Sequence, residues 1–77
     1  MPRYHFDVIN GDGLERDNEG LEIGKQKVPA HVAAILTDIA KDELPKSPEV
    51  VIQVSVRDET EQEVFRGELS FKAEWTA

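Results

Sequence analysis

Three segments of the chain alternate between apolar and polar residues, which is the period-two pattern of a half-buried β-strand. They lie at residues 4–8, 50–57 and 65–75. Their apolar positions, which would share one face of a sheet, are Tyr4, Phe6, Val8, Val50, Ile52, Val54, Val56, Phe65, Leu69, Phe71, Ala73 and Trp75. The pattern therefore predicts a sheet with one buried face and one polar face.

One amphipathic helix is predicted between the first and second of these strands. Its apolar stripe repeats at helical spacing and consists of Val32, Ile35, Leu36 and Ile39. Pro29 fits the first helical position, because the N–H that proline lacks has no partner there. Pro45 disfavours helical geometry at Leu44, so the helix should end near Glu43.

Two polar turns divide the N-terminal third of the chain. Residues 10–13 and 17–20 each combine Asn or Asp with glycine, which supplies the backbone angles of a tight turn. The stretch between them, 14–16, is predicted to return along the first strand. Leu21 and Ile23 then belong to a short extended segment before the helix.

The register of the last two strands can also be predicted. Directly opposed residues of an antiparallel pair lie on the same face, so apolar residues should oppose apolar residues. The pairs that satisfy this rule are Val56 with Phe65, Val54 with Gly67, Ile52 with Leu69, and Val50 with Phe71. This register leaves residues 59–62 as the loop of a hairpin.

These elements predict a single domain over residues 1–77, with an α+β fold. One helix packs on an antiparallel sheet in two layers, in the order ββαββ. Ala73 and Trp75 run past Pro48, which bounds the neighbouring strand. They therefore need another neighbour, either the first strand of the same chain or a second copy of the protein. Trp75 itself should be a lid over the end of the helix or an anchor between molecules.

Composition narrows the classes of function that this chain can have. A chain of 77 residues has a small core and no cysteine to cross-link it, so homodimerisation is one remaining means of stabilisation. The net charge of -7 opposes phosphate backbones and anionic lipids, so we expect neither nucleic-acid nor membrane binding. This acidic charge suits a basic protein partner, or it serves solubility alone. Because Met1 is followed directly by a strand-like pattern rather than an apolar leader, we expect a cytoplasmic protein.

The polar face of the predicted sheet is a candidate interaction surface. Together with the overhanging tryptophan, this surface comprises His5, Asp7, Gln53, Ser55, Arg66, Glu68 and Trp75. His5 and Asp7 lie two residues apart on one strand and could form a catalytic pair. However, no nucleophile with an evident base accompanies them, and so small a domain has little room for an enclosed pocket. We therefore predict that the protein is not an enzyme and uses no cofactor.

The acidic N-terminal turns are a candidate divalent-metal or small-ligand site. The carboxylates concentrated there are Asp7, Asp12, Asp17 and Glu19. An EF-hand alignment on Gly20 places Gln26 where the calcium loop requires a bidentate glutamate. His5 and His31 lack a third ligand for zinc. Turn formation is the simpler interpretation of these residues.

Three motifs carry a family resemblance. They are Arg3-Tyr4-His5-Phe6-Asp7 with the later Asp12-Gly13, then Asp17-Asn18-Glu19-Gly20-Leu21-Glu22, and finally Val54-Ser55-Val56-Arg57-Asp58. With these motifs, most of the chain resembles a family of short, stand-alone bacterial proteins of unknown function. The resemblance implies no activity, cofactor or catalytic residue. The chain departs from the family pattern at residues 24–29, before the helix, and at 59–62, in the last hairpin.

A non-enzymatic protein-interaction or regulatory module is the function that these observations favour. It would act through the open sheet face or a dimer edge, on an unknown protein partner or on a second copy of itself. The alternative is a small-ligand or divalent-metal-binding protein that uses the acidic N-terminal turns.

Overall fold

The computed structural model describes residues 1–11 and 13–77. Its elements, in chain order, are β1 (Arg3–Asn10), β2 (Gly13–Glu15), β3 (Leu21–Glu22), α1 (Val28–Glu43), β4 (Glu49–Arg57) and β5 (Glu63–Lys72). Single 3₁₀ turns, Lys25–Lys27 and Leu44–Lys46, adjoin the two ends of α1. No helix in the described residues has the length and apolar character needed to cross a bilayer.

All strand pairs are antiparallel, and β4 lies at the centre of the sheet. It pairs with β1 on one side and with β5 on the other. The short strands β2 and β3 both pair with the opposite edge of β1, one after the other. Since α1 packs on one face of this sheet, the predicted two-layer α+β fold is confirmed.

The predicted register of the β4–β5 hairpin is confirmed at all four apolar pairs, from Val56 opposite Phe65 to Val50 opposite Phe71. The register shifts after Val56, because Arg57 pairs with Glu63 and Val64 is an extra residue in β5. Consequently the loop is residues 58–62, one residue longer than predicted.

The helix ends at Glu43, as its sequence predicts, but begins one residue before Pro29. Lys27 occupies the N-cap position, and its side chain makes no capping hydrogen bond. The 3₁₀ turn before the helix provides the entry instead: the N–H of Lys27 donates to the carbonyl of Gly24, at 2.9 Å.

The hydrophobic core lies between α1 and the central strands. Its buried members are Tyr4, Phe6, Val28, Val32, Leu36, Ala40, Val50, Ile52, Val54 and Val56. Phe65 lies on the predicted face but stays 36% exposed, because β5 is the last strand of the sheet. Phe71 is half-buried beside the core.

The C-terminal segment differs from both expectations that involve its own chain. Trp75 is 97% exposed, so the prediction of a lid over the helix is wrong. The segment also cannot pair with β1, because β1 and β5 lie on opposite sides of β4. The last bond to β4 is donated by the N–H of Ala73 to the carbonyl of Pro48, at 2.7 Å.

Gly67 is a position at which α1 lies close against the sheet. A Cβ atom built on Gly67 would lie 2.5 Å from Cγ1 of Val32 and 3.4 Å from Cδ1 of Leu36. Val32 is buried and β-branched, so its side chain has little rotameric freedom within a helix. The missing side chain at Gly67 therefore sets how deeply the helix packs on β5.

We predict that Gly67→Ala lowers the free energy of unfolding by about 1–3 kcal/mol through overpacking. The double variant Gly67→Ala/Val32→Ala should recover part of this loss, because it removes the clashing methyl groups. Gly13→Ala is the control, since its Cβ would meet only the carbonyl of Asn10, at 3.4 Å. Urea denaturation of the four proteins measures the effect, and equal losses at the two glycines would contradict it.

Candidate functional site

Arg57 is the most highly connected polar residue on the sheet face opposite the helix. Only 7% of it is exposed, although it is charged. Its guanidinium group donates from Nε to Asp7 Oδ2 at 2.6 Å and from Nη2 to Asp7 Oδ1 at 3.0 Å. It also donates from Nη2 to the carbonyl of Asp17 at 2.9 Å and from Nη1 to Glu61 Oε2 at 3.0 Å. We call Asp7, Asp17, Arg57 and Glu61 the Arg57 cluster.

Asp7 is buried at the centre of this cluster. It is 7% exposed, and besides the two bonds from Arg57 its Oδ1 atom accepts the N–H of Asp17 at 2.9 Å. A buried charge is tolerated only when it is paired and hydrogen-bonded, and Asp7 meets both conditions. In the described residues, no buried side-chain nitrogen or oxygen lacks a hydrogen-bond partner.

The Asp17 carboxylate replaces a strand at the edge of β1. Its Oδ2 atom accepts the N–H of Phe6 at 3.0 Å, in the gap between β2 and β3. Its Oδ1 atom accepts the N–H groups of Glu19 at 3.1 Å and Gly20 at 3.0 Å. One side chain thus closes the turn and satisfies a backbone donor that no strand covers.

Gly20 allows this turn to lie against β1. Its φ angle is +77°, a left-handed conformation that glycine adopts without strain. A Cβ atom there would also lie 2.9 Å from Cγ of Arg3. The Arg3 side chain crosses the turn, donating to the carbonyl of Glu19 at 2.8 Å and to Glu22 Oε1 at 3.0 Å.

The β4–β5 turn meets the cluster through Glu61. This residue has a φ angle of +71°, which is unusual for a residue other than glycine. Its Oε2 atom accepts hydrogen bonds from both Arg57 and Arg16, the latter at 2.6 Å. Asp58 closes the turn through its Oδ1 atom, which accepts the N–H of Thr60 at 2.8 Å.

The hydrogen bonds of the cluster lower the pKa of both of its aspartates. Hydrogen bonding to Arg57 is the main reason that the pKa of Asp7 lies below its ordinary value, and the same contact raises the pKa of Arg57. Burial alone raises the pKa of Asp17, but the backbone N–H groups that its carboxylate accepts outweigh burial and lower it. Both carboxylates therefore stay ionised at neutral pH, and their oxygens are occupied by donors.

The structure does not bring His5 and Asp7 together as a pair. The His5 ring lies with Nδ1 at 2.9 Å from the carbonyl oxygen of Asp17, while Asp7 binds Arg57. The alternation predicts Asp7 on the open polar face of the sheet, and this prediction is wrong because the loop around Asp17 covers Asp7. His31, on α1, packs edge-on against Phe6 with ring centroids 4.6 Å apart.

The other residues of the candidate interaction surface lie on β4, on β5 or beyond them. Gln53 Nε2 donates to Glu68 Oε1 at 2.7 Å across the two strands. The Ser55 hydroxyl donates to the Glu63 carboxylate, which also accepts from Arg66 Nη2 at 2.9 Å. These contacts leave Arg66 and Glu68 exposed. Trp75 follows β5 and is separate from them.

The acidic turns do not present a set of free oxygen ligands. Asp12 lies outside the described residues. Asp7 and Asp17 use their carboxylate oxygens to accept N–H donors, as described above. Across residues 1–11 and 13–77, no group of three His, Cys, Asp or Glu side chains has an arrangement suited to a metal ion.

The sequence pattern alone does not single out Arg57 or Glu61. Arg57 stands within the third motif and Glu61 within the predicted hairpin loop, and Asp17 is predicted only as a turn residue or a metal ligand. Strand pairing offers one signal, because β1 and β4 place His5 opposite Arg57 and Asp7 opposite Ser55. The Arg57–Asp58 end of the third motif offers another.

A cavity lies on the helix side, at the end of the sheet where α1 begins. Its volume is about 540 Å³. The residues that line it are Tyr4, Lys25, Val28, Pro29, Asp58, Val64 and Phe65. The lining is mostly apolar, with one lysine and one aspartate at the rim. The cavity therefore suits an apolar or aromatic group with a polar edge.

The fold and the cluster define a class of small two-layer α+β domain whose polar sheet face is closed by a buried ion pair. The model of one family, described as Domain of unknown function (DUF6894), matches residues 3–70. The chain belongs to this family, which confirms the resemblance to a family of unknown function. Comparisons with curated proteins and with solved structures found no match.

We predict that Arg57→Met lowers the free energy of unfolding by about 3–5 kcal/mol, because it leaves Asp7 buried without its counterion. Asp7→Leu should have a similar effect. The double variant Asp7→Leu/Arg57→Met should lose much less free energy of unfolding than the sum of the two single losses, since it leaves no unpaired charge. Urea denaturation measures the coupling. Simple additivity of the two losses would show that the pair does not act as a unit.

The lowered pKa of Asp7 predicts a loss of stability in acid. Its ordinary pKa is 3.8, and the folded-state pKa is lower, so the unfolded chain takes up the proton first as pH falls. The free energy of unfolding should therefore decline as pH drops through about 4 and below. Asp7→Asn should show a shallower decline, whereas the exposed control Asp38→Asn should follow the original protein. Parallel curves for Asp7→Asn and the original protein would contradict this cause.

Proposed function

We propose that this domain is a non-enzymatic protein-interaction module that binds an extended segment along the outer edge of β5. The proposal rests on the length of that edge and on its having no partner strand among the described residues. β5 spans ten residues and, in the described part of the chain, pairs with β4 alone. An unpaired strand edge presents N–H and C=O groups that can add another strand.

The hydrogen-bond geometry identifies which residues offer those groups. Ala73 directs its N–H toward β4, as its bond to Pro48 shows. Successive residues of a strand direct their backbone groups to alternate sides. In the regular part of β5, the odd-numbered residues therefore bond to β4. The residues whose N–H and C=O groups point outward are Arg66, Glu68, Ser70 and Lys72.

The backbone of β5 leaves most of its edge open to another strand. Natural edge strands are often blocked by proline, by a bulge or by a charge directed along the edge. In β5 the single register shift lies at one end, before Phe65, and the strand contains no proline. Phe65 and Trp75 add exposed aromatic surface at the two ends of this edge.

The Arg57 cluster and the cavity contribute less to this proposal than the β5 edge does. The Arg57 cluster holds its carboxylates in bonds to donors, so it serves to fix two loops on the sheet. The 540 Å³ cavity adjoins Phe65 at one end of the β5 edge, so it supports a partner that reaches beyond the edge itself. A partner strand would thus gain backbone bonds along β5 and an apolar contact at the end.

A photo-crosslinking experiment in the native cell tests this proposal. A benzoylphenylalanine residue replaces Ser70 on the β5 edge or, as a control, Asp38 on the exposed side of α1. We expect a discrete crosslinked product from position 70, identified by mass spectrometry, and none from position 38. The same products from both positions, or none from position 70, would contradict the proposal.

A proline variant sharpens this test. The N–H of Glu68 points outward, so Glu68→Pro removes a donor from the edge without removing a bond to β4. It should abolish the crosslink at position 70. Glu68→Ala is the matched control, because it loses the same contact with Gln53 but keeps the N–H. Circular dichroism confirms that both variants are folded, and crosslinking that survives Glu68→Pro counts against the β5 edge.

A further inference from the structure

We propose that the segment bound at the β5 edge is the β5 strand of a second copy of this chain, paired antiparallel about a two-fold axis at Ser70. This inference rests on the proposed function and specifies its partner. In this register, residues whose numbers add to 140 lie opposite each other. Ser70 faces its own counterpart, and the pairing extends through the C-terminal segment that overhangs β4.

The charges along β5 are complementary to themselves in this register. Glu68 lies opposite the partner's Lys72, and Arg66 lies opposite the partner's Glu74. The two-fold axis repeats each pair, so four pairs of opposite charge form across the interface. Directly opposed opposite charges stabilise an antiparallel pair, and like charges destabilise it.

Neighbouring registers are less complementary to themselves. An axis at Glu68 sets two glutamates against each other. An axis at Leu69 sets Arg66 against Lys72, which repeats on the other side of the axis. An axis at Gly67 pairs Arg66 with the partner's Glu68 but leaves Trp75 beyond the start of the partner's strand. Among these registers, only the axis at Ser70 pairs opposite charges and uses the whole C-terminal segment.

The apolar face is also matched in this register. Leu69 lies opposite the partner's Phe71, and Phe65 lies opposite the partner's Trp75. The backbone groups of these odd-numbered residues point toward β4, so they form the more closely spaced, non-hydrogen-bonded pairs with the second copy. Side chains approach each other most closely in such pairs. Phe65 and Trp75, which are 36% and 97% exposed in the single chain, would cover each other.

The cavity at the start of α1 lies where the tryptophan arrives. Phe65 forms part of its lining, together with Val28 and Pro29 from the helix. The partner's Trp75 lies on the same sheet face as Phe65, one strand farther out, so its indole ring lies at the mouth of the cavity. A tryptophan anchored in an apolar cavity is the kind of residue that dominates interface energies.

Sedimentation of the purified chain tests the dimer and its charge pairs. We expect a species of twice 8.7 kDa. Glu68→Lys should weaken the dimer at least tenfold, because it faces the partner's Lys72, and Glu68→Lys/Lys72→Glu should restore most of the affinity. Trp75→Ala should also weaken it about tenfold or more. A monomer at millimolar concentration, or no rescue by the charge exchange, would overturn the proposal.

Single cysteines test the register independently, because the natural chain has none. In the proposed pairing, the Cα atoms of position 70 in the two copies lie about 5.5 Å apart, within reach of a disulfide. The two copies of position 68 lie about 14 Å apart along the strands and cannot be linked. Ser70→Cys should therefore form a covalent dimer on mild oxidation, and Glu68→Cys should not. The reverse result would overturn the register.

These outcomes separate the inference from the function on which it rests. If the purified chain is a monomer but the photo-crosslinker at position 70 captures a different protein in the cell, the edge binds a partner and the dimer is wrong. If neither experiment gives a product at position 70, both proposals are wrong. Folding of each variant is checked by circular dichroism.

Discussion

The bidentate ion pair between Asp7 and Arg57 holds together the parts of this domain that the hydrophobic core does not reach. The core lies on the helix side of the sheet, whereas the pair lies on the opposite face. Through Asp17 and Glu61, it binds the loop between β2 and β3 and the turn between β4 and β5. A small domain gains little apolar burial from such loops, so satisfied polar contacts are the means by which they are ordered.

The sequence predicts the sheet well because the alternation of apolar and polar residues constrains both the face of each residue and the register between strands. A shift of one residue between β4 and β5 would move Arg66 and Glu68 into the core, so only one register agrees with the pattern. The helix end follows from Pro45 for a similarly local reason. Burial of Arg57 follows no such rule. Its partners Asp7 and Asp17 lie 50 and 40 residues away, and contacts between side chains and backbone over such distances leave no periodic signal.

The exposure of Phe65 and Trp75 shows the same limit of pattern analysis. Both residues lie on the face that alternation assigns to the core. Alternation determines the face of a residue but not whether a second layer covers it. The helix packs closely on Gly67 and leaves the ends of β5 partly uncovered. A short helix on a longer strand therefore leaves aromatic residues that a pattern alone would count as core.

The closure of β1 by the Asp17 side chain determines how far this sheet can grow. On that side, β2 and β3 have only three and two residues, and a carboxylate occupies the gap between them. In residues 1–11 and 13–77, only the β5 side has a long edge, so the proposed pairing uses one site on each molecule. Association through that site, as proposed above, would be isologous and complete at two molecules, and it would not propagate into a fibre.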